Sequence, residues 1–181
     1  MKTPRSLTVL LTAFTLATGC HAASESAPTG VASADTGAAI QGWPHYGGKD
    51  AGQHAELTDI TPQNVNQLEL AWSHHSGDFS DGSGEWGLSS LQVTPLVDGD
   101  TLYYCTPFGR VFALNAETGE ERWVFDPEVE NRRSGMYPVV CRGVALWRAA
   151  EPDEAAASCG VRILYGTHDA GLIALDARSG E

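Results

Sequence analysis

Residues Ala113-Leu114-Asn115-Ala116-Glu117-Thr118-Gly119-Glu120-Glu121-Arg122-Trp123 read ALNAETGEERW and form the most informative pattern in the chain. Residues 174–181 read ALDARSGE and repeat the first part of that pattern 61 residues further along. Gly119 supplies the positive φ angle that a tight turn requires, and the Asn115 side chain can hydrogen-bond to turn backbone. We therefore predict a strand, a turn and then Trp123, which packs between neighbouring units and uses its indole N–H there.

The similarity of the two copies extends beyond the turn. When residues 104–120 are aligned with residues 165–181, seven positions are identical. The identical pairs are Tyr104/Tyr165, Thr106/Thr167, Ala113/Ala174, Leu114/Leu175, Ala116/Ala177, Gly119/Gly180 and Glu120/Glu181. Two copies of one supersecondary unit indicate a repeat architecture.

Short predicted strands joined by tight turns surround the first copy, and this favours an antiparallel β fold. The predicted strands are residues 68–72, 93–97, 101–105, 111–114 and 121–125. The Thr61-Pro62 pair predicts one or two helical turns, with Thr61 as N-cap.

Four-stranded units that repeat every 40–45 residues or so are typical of a β-propeller. The repeat is longer here, and we place the excess in an insertion over residues 126–160 on one rim of a blade. The predicted fold is all-β, a partial β-propeller that begins near Trp43. Two similar hairpins in a β-sandwich are the alternative.

The N-terminus resembles an export signal. Lys2 and Arg5 precede the apolar run Leu7–Ala17, and small residues follow. The run is shorter than the roughly 20 residues that cross a bilayer. We predict a signal peptide over residues 1–20 in which Cys20 ends a lipobox-like sequence and is lipidated. Cleavage after Ala22 by ordinary signal peptidase is the alternative, and both place the protein outside the cytoplasm.

Composition defines a linker and excludes one class of partner. Residues 21–42 are rich in Ala, Ser, Thr and Gly, and they carry too few large apolar side chains to fold, so we predict a flexible linker. The chain has 11 basic and 23 acidic residues, a net charge of −12. This charge argues against a nucleic-acid partner, which needs a basic surface.

The cysteines predict one disulfide. Cys141 and Cys159 bracket an irregular segment, and an exported protein meets an oxidising compartment, so we predict that these two are bonded. Cys105 lies in an apolar predicted strand and is expected to be a buried free thiol. Cysteine and histidine spacing does not favour a zinc site.

The repeated pattern resembles the tryptophan-docking motif of quinoprotein dehydrogenases, Ala-x-Asp-x-x-Thr-Gly-x-x-x-Trp. The first copy departs from it only at Asn115, whereas the second has Asp176 but Ser179 in place of Thr. Cys141-Arg142-Gly143 and the spaced Cys159 are most similar to the glucose dehydrogenase branch. Further shared segments include residues 43–48, 60–65, 71–72, 94–97, 105–107, 125–127, 141–144 and 165–169.

This resemblance implies the first blades of an eight-bladed propeller whose cofactor is pyrroloquinoline quinone (PQQ), bound beside Ca²⁺. It implies the N-terminal part of a periplasmic dehydrogenase, anchored to the outer membrane if Cys20 is lipidated. The substrate would be a small sugar, polyol or alcohol, and electrons would pass to a respiratory acceptor. The family's catalytic Asp and Ca²⁺ ligands lie in later blades, so no catalytic or metal-binding residue is expected within residues 1–181. We expect this chain alone to be inactive.

Three residues match or adjoin cofactor contacts of the family. Arg142 matches an arginine whose guanidinium suits a carboxylate or quinone oxygen, and its alternative is a surface role. Gln92 matches a position often held by a hydrogen-bonding Glu, and its alternative is a polar strand start. Tyr137 lies where related branches have a disulfide or a His, and we predict that it stacks on the quinone.

Other polar residues and two rival functions remain. Asp126, Asp169 and Asp176 are predicted to form turns, and His74 and His75 to be solvated or structural.

A non-catalytic propeller lipoprotein that binds other proteins during outer-membrane assembly is the main alternative function. A truncated product without activity is a further alternative.

Overall fold

The computed structural model of the protein describes residues 42–48, 51–55, 58–129 and 138–181. The predicted signal peptide with Cys20, the linker up to residue 41 and Tyr137 lie outside these residues. Within the described ranges, no helix is both long enough and apolar enough to cross a membrane.

The first sheet contains five antiparallel strands in chain order. They are β1 (Gly42–Trp43), β2 (Leu96–Asp98), β3 (Thr101–Cys105), β4 (Val111–Asn115) and β5 (Glu121–Phe125). β2 to β5 form the predicted meander, in which the largely buried strands β3 and β4 are central and short turns join neighbouring strands. β3 and β5 have the predicted bounds, and a register shift between Ala113 and Leu114 marks a bulge in the β4–β5 pair.

The second sheet contains three antiparallel strands, β6 (Ala145–Arg148), β7 (Val161–Gly166) and β8 (Leu172–Asp176). A one-turn helix, α1 (Pro152–Ala156), connects β6 to β7. β6 lies inside the segment that we interpreted as an insertion, so residues 126–160 include the first strand of the second unit. Only Leu146 is buried in β6, and one buried residue in four gives no periodic signal.

The two repeat turns have the same hydrogen bonds. The amide of Gly119 donates to the Asn115 carbonyl at 2.8 Å, and the amide of Gly180 donates to the Asp176 carbonyl at 2.9 Å. The side-chain oxygen of Asn115 accepts two turn amides at 2.9 and 3.0 Å. Asp176 accepts the equivalent amides at 2.9 and 3.1 Å. The predicted turn-forming roles of Asn115 and Asp176 are confirmed.

A continuous apolar core fills the space between the two sheets. Cys105 and Val111 of the first sheet and Ile163 of the second are completely buried. Alternate residues of β7 face this core, because Val161, Ile163 and Tyr165 are buried whereas their neighbours are less so. The sheets are therefore held together mainly by apolar burial.

Two tryptophans make the same contact with successive repeats. The indole of Trp72 donates to the Ala116 carbonyl at 3.2 Å, and that of Trp123 donates to the Ala177 carbonyl at 3.1 Å. The rings lie over Gly119 and Gly180, where a Cβ atom would come within 2.6 and 2.8 Å. A contact that recurs with the same geometry in consecutive repeats relates successive propeller blades and not the two layers of a sandwich.

Two local predictions are wrong. Residues 68–72 form no strand and pair with none in the described chain, and Leu68 and Leu70 are 60% and 84% exposed. The alternation reflects a segment whose Trp72 reaches the neighbouring blade. Thr61 begins a hydrogen-bonded turn, because its carbonyl accepts the amides of Asn64 and Val65 at 3.1 and 2.9 Å. It is not the N-cap of the helix, because the 3₁₀ helix Val65–Gln67 follows Asn64.

Candidate functional site

The blades have two rims, which we name by a residue of each. The Cys105 rim holds the strand ends at Leu96, Cys105 and Val111, together with the β7–β8 turn. The Asp98 rim holds the β2–β3 turn and the two repeat turns. The predicted cofactor residues Gln92 and Arg142 both precede a strand that starts at the Cys105 rim.

Two segments outside the main strands run side by side at the Cys105 rim. The amide of Val139 donates to the Leu88 carbonyl at 2.8 Å, and the amide of Ser90 donates to the Val139 carbonyl at 3.1 Å. The amide of Thr94 donates to the Arg142 carbonyl at 3.2 Å. The parallel bridge between Ser89 and Val139 fixes the direction. Residues 88–94 and 138–143, here called the paired segments, thus belong to different blades but share one edge.

The paired segments bring Gln92 and Arg142 together on one exposed surface. Both side chains are exposed. The side-chain amide of Gln92 donates from Nε2 to the Ser90 hydroxyl at 3.3 Å. The Arg142 guanidinium makes no hydrogen bond or ion pair with any described residue, whereas Arg110, Arg122 and Arg148 are each paired with an Asp. Arg142 therefore retains all its donors for an anionic partner.

The disulfide differs from the predicted one. Cys141 is bonded to Cys105, with their Cα atoms 5.8 Å apart, and not to Cys159. The β6–β7 hairpin separates the predicted partners, because Cys141 precedes β6 at the Cys105 rim whereas Cys159 precedes β7 at the Asp98 rim. Cys105 is buried as expected but is not a free thiol, and Cys159 is not free either. Proximity along the sequence misidentified the pair.

Aromatic residues border the paired segments. The ring of Trp86 stacks on Phe108 with centroids 4.2 Å apart and an interplanar angle of 12°. The loop that carries Trp86 is closed by Ser80 and Ser89, where the amide of Ser89 donates to the Ser80 carbonyl at 2.9 Å. Sequence reasoning missed this stack, because Trp86 lies in a Gly- and Ser-rich loop without periodicity.

His74 is structural, as predicted. Its Nδ1 is 2.6 Å from the Tyr104 hydroxyl, and its Nε2 is 2.7 Å from a Glu121 carboxylate oxygen. Its ring meets Phe112 edge-on, with centroids 5.1 Å apart. Burial raises the pKa of Tyr104 to about 12. The phenol therefore stays protonated at neutral pH, and the cluster holds His74 against Tyr104 and Phe112 of the first sheet.

A second concave surface lies on the Asp98 rim. This cleft of 270 Å³ is lined by Asp98, Asp100, Arg122, Arg148 and Arg178, among others. Its charges are already neutralised, since Arg122 binds Asp100 and Arg148 binds Asp98, each at 2.6 Å. Arg178 donates to the carbonyls of residues 155 and 156. Both Asp carboxylates of the cleft are thus paired, and the remaining cation, Arg178, has guanidinium donors engaged by carbonyls.

Metal-binding groups are sparse in the part of the chain that the structure describes. Across those residues, no three His, Cys, Asp or Glu side chains lie close enough together to hold a metal ion. Asp126 and Asp169 accept hydrogen bonds from their own turns, as predicted.

Comparison with known proteins identifies the family to which the chain belongs. The family model described as "PQQ: Glucose/ethanol/alcohol dehydrogenase, beta-propeller domain" matches residues 43–181. The quinoprotein glucose dehydrogenase of Escherichia coli K12 is 39% identical over 148 residues, which are 79% of this chain and 18% of that protein. The chain thus spans about a fifth of the length of this relative.

Two solved structures resemble the chain. The quinohemoprotein alcohol dehydrogenase of Comamonas testosteroni is 30% identical, with a TM-score of 0.59 over 77% of this chain and 18% of that one. A europium-containing methanol dehydrogenase is 28% identical, also with a TM-score of 0.59, over 77% of this chain and 22% of that one. Both similarities agree with an incomplete propeller.

Proposed function

Because the chain belongs to the β-propeller family of PQQ-dependent glucose, ethanol and alcohol dehydrogenases, we propose that it is the N-terminal part of a periplasmic quinoprotein dehydrogenase. The whole enzyme would oxidise a small sugar, polyol or alcohol with PQQ and pass the electrons to a respiratory acceptor. The observation that carries this proposal is the exposed, unpaired guanidinium of Arg142 beside Gln92 on the paired segments. The similarity to enzymes named for glucose and alcohol supports the substrate class.

The two side chains suit the proposed cofactor. PQQ carries three carboxylates and an ortho-quinone, and a planar guanidinium can donate two parallel hydrogen bonds to either group. A neutral Gln92 can donate and accept without adding negative charge beside those carboxylates. The bound quinone would supply the two-electron acceptor for the oxidation. In this proposal Arg142 and Gln92 bind and orient it.

The proposal divides the enzyme between this chain and further blades. We propose that the further blades hold Ca²⁺ and the base that removes the substrate proton. The described residues contain no cluster of His, Cys, Asp or Glu that could hold a metal ion. Ca²⁺ needs six to eight oxygen ligands. Titration of the 181-residue chain with PQQ and Ca²⁺ should therefore show no saturable binding. Saturation at micromolar PQQ would contradict this division.

A grafted enzyme tests the function directly. Residues 43–181 would replace the matching segment of the E. coli glucose dehydrogenase, which is 39% identical. We expect the graft to reduce a dye with glucose only when PQQ is added. A folded graft that contains all its blades but neither binds PQQ nor oxidises glucose would favour the non-catalytic scaffold.

Two Arg variants of the graft locate the cofactor contact. Arg142→Met should weaken PQQ binding roughly 10- to 100-fold, because a hydrogen bond to a charged group contributes about 1.5–3 kcal/mol. Arg178→Met removes the same charge from the Asp98 rim, where Arg178 contacts carbonyls, and should leave PQQ affinity unchanged. Equal losses in the two variants would assign the effect to net charge.

We also propose that the protein is exported and anchored by a lipid on Cys20. The signal-like sequence of residues 1–20 supports this proposal. Cells fed radiolabelled palmitate should incorporate label into the wild-type protein but not into Cys20→Ala. Unlabelled wild-type protein that begins at Ala23 would instead show cleavage after Ala22.

A further inference from the structure

The Cys105–Cys141 disulfide joins the two blades beside the proposed cofactor contact. Cys105 ends β3 and is completely buried, so it is a fixed point of the first blade. Cys141 immediately precedes Arg142 and is held by the bond with a Cα–Cα distance of 5.8 Å. One peptide unit therefore separates the covalent anchor from the exposed guanidinium.

Besides the disulfide, this stretch of chain is held by backbone hydrogen bonds, by the burial of Val139 and by the packing of Cys141 against the core. Three backbone hydrogen bonds connect it to residues 88–94, and the last joins the Thr94 amide to the Arg142 carbonyl at 3.2 Å. Gly143, directly after Arg142, has φ of +159° and places no side chain in the core. Arg142 itself is exposed. Val139 is the one buried residue in 138–143. Because single backbone hydrogen bonds contribute little net stability, we expect a segment of this kind to open locally.

We propose that the disulfide is the element that positions Arg142 for PQQ, and that its reduction loosens the paired segments without unfolding the blades. This inference rests on the proposed function for the identity of the ligand. The bond fixes the register of residues 138–143 against residues 88–94, and thereby holds Arg142 and Gln92 at one site. A preorganised guanidinium avoids the ordering cost of capturing a mobile one.

The chemistry of release is simple. A dithiol reductant breaks the S–S bond and leaves two thiols, each sulfur gaining one electron and one proton, while the reductant becomes a cyclic disulfide. Cys105 then remains within the core, whereas the segment with Cys141 keeps only its backbone hydrogen bonds and the packing of Val139 and Cys141. The blades keep their shared apolar core in both states.

Hydrogen exchange on the full 181-residue chain tests the structural half of the proposal without any cofactor. We compare the oxidised chain with the Cys105→Ala/Cys141→Ala variant. Peptides that contain the amides of Ser90, Thr94 and Val139 should exchange at least about tenfold faster in the variant. Peptides from β7 and β8 should not change. Cys159→Ser removes another half-cystine and should leave the exchange of Thr94 as in the wild type.

The affinity of the grafted enzyme for PQQ tests the positioning role. Loss of the Cys105–Cys141 pair should raise the PQQ concentration for half-saturation about tenfold while kcat at saturating PQQ is unchanged. The same double substitution in an Arg142→Met background should add almost nothing, because it acts through Arg142. An equal loss in both backgrounds overturns the proposal, as does unchanged exchange of Thr94. If the graft is inactive but the Thr94 amide still exchanges faster in the double Cys variant, the proposed function is contradicted. The role of the disulfide in holding the paired segments is not.

Discussion

The carbonyl oxygen of Ala177 accepts a hydrogen bond from the indole of Trp123 at 3.1 Å, across a separation of 54 residues. The hydroxyl of Tyr103 donates to the same oxygen at 3.0 Å. One buried carbonyl of the second repeat turn thus receives two donors from the first blade. Trp72 makes the equivalent bond to Ala116. The sequence motif is therefore a device that fastens neighbouring blades.

Replacement of Trp123 by Phe should destabilise the chain. The change removes one donor to Ala177 and part of the ring that covers Gly180, so we expect a loss of about 1–2 kcal/mol in the free energy of unfolding. Trp147→Phe is the matched control, because Trp147 is 43% exposed and lies under Arg162. Urea unfolding should show almost no change for the control. Equal losses in both would refute the docking role.

Replacement of Gly119 by Ala separates backbone strain from steric conflict. The added Cβ would come within 2.6 Å of the Trp72 ring, and φ is +75°. Gly99 has φ of +60° with no atom within 4 Å of an added Cβ. Gly99→Ala should cost about 1 kcal/mol for the left-handed backbone, and Gly119→Ala should cost about 1–3 kcal/mol more. Equal shifts in the urea midpoint would show that Trp72 moves freely.

Tyr103 and Tyr165 should respond oppositely to loss of their hydroxyls. Tyr103→Phe loses the bond to Ala177 and should cost about 0.5–1 kcal/mol, because Trp123 still donates to that carbonyl. The Tyr165 hydroxyl is buried without a hydrogen-bond partner among the described residues. Tyr165→Phe should therefore be neutral or slightly stabilising. Thermal melting of the two variants measures the difference, and a destabilised Tyr165→Phe would indicate a partner for that hydroxyl.

Asp176 should make stability depend on acid pH. Burial acts to raise its pKa, but hydrogen bonds from the amides of Cys159, Arg178 and Ser179 outweigh burial and lower the pKa below 3.8. A carboxylate with a depressed folded pKa stabilises the fold at pH values above its unfolded pKa. That contribution is lost as the pH falls through the folded pKa.

Asp176→Asn tests this dependence. The variant should be less stable at neutral pH, because its amide faces the N–H of Cys159, which now donates to Asp176 at 2.6 Å. Its stability should fall less steeply between pH 5 and pH 2 or so, where a free carboxyl titrates. The reciprocal change Asn115→Asp should gain acid dependence at the first turn. If the stabilities of the wild type and Asp176→Asn fall in parallel as the pH is lowered, Asp176 is not the source of the acid dependence.

Local chemistry explains why much of the fold was predictable. Gly119 and Asn115 are set by the dihedral angles and hydrogen bonds of a single turn, and these are readable from adjacent residues. The bounds of strands β3 and β5 were predicted correctly, because turn residues readable in the sequence precede them, residues 98–100 before β3 and residues 117–119 before β5. Trp123 was assigned its role correctly, because a large aromatic with a donor must bury one part and bond the other.

Long-range pairing explains what was not predictable. The bond between Cys105 and Cys141 depends on the approach of two blades, which sequence spacing does not report. Residues 68–72 alternate like a strand, but alternation does not say whether a partner strand is present. Gln92 and Arg142 were identified one at a time by resemblance. Their nearness in the fold depends on the parallel pairing of residues 88–94 with 138–143, which has no local signature.

The tryptophan contact has a direction. Each unit offers an indole on one side and a glycine with a carbonyl on the other, so the interface is heterologous and has no two-fold symmetry. Such a contact can be repeated indefinitely, because nothing within it limits the number of units. The number of blades must then be set by the small rotation between neighbours and by the width of the apolar core that separates them. Side chains such as Val111 and Ile163, buried between the two sheets, therefore act as the spacers that determine when a ring can close.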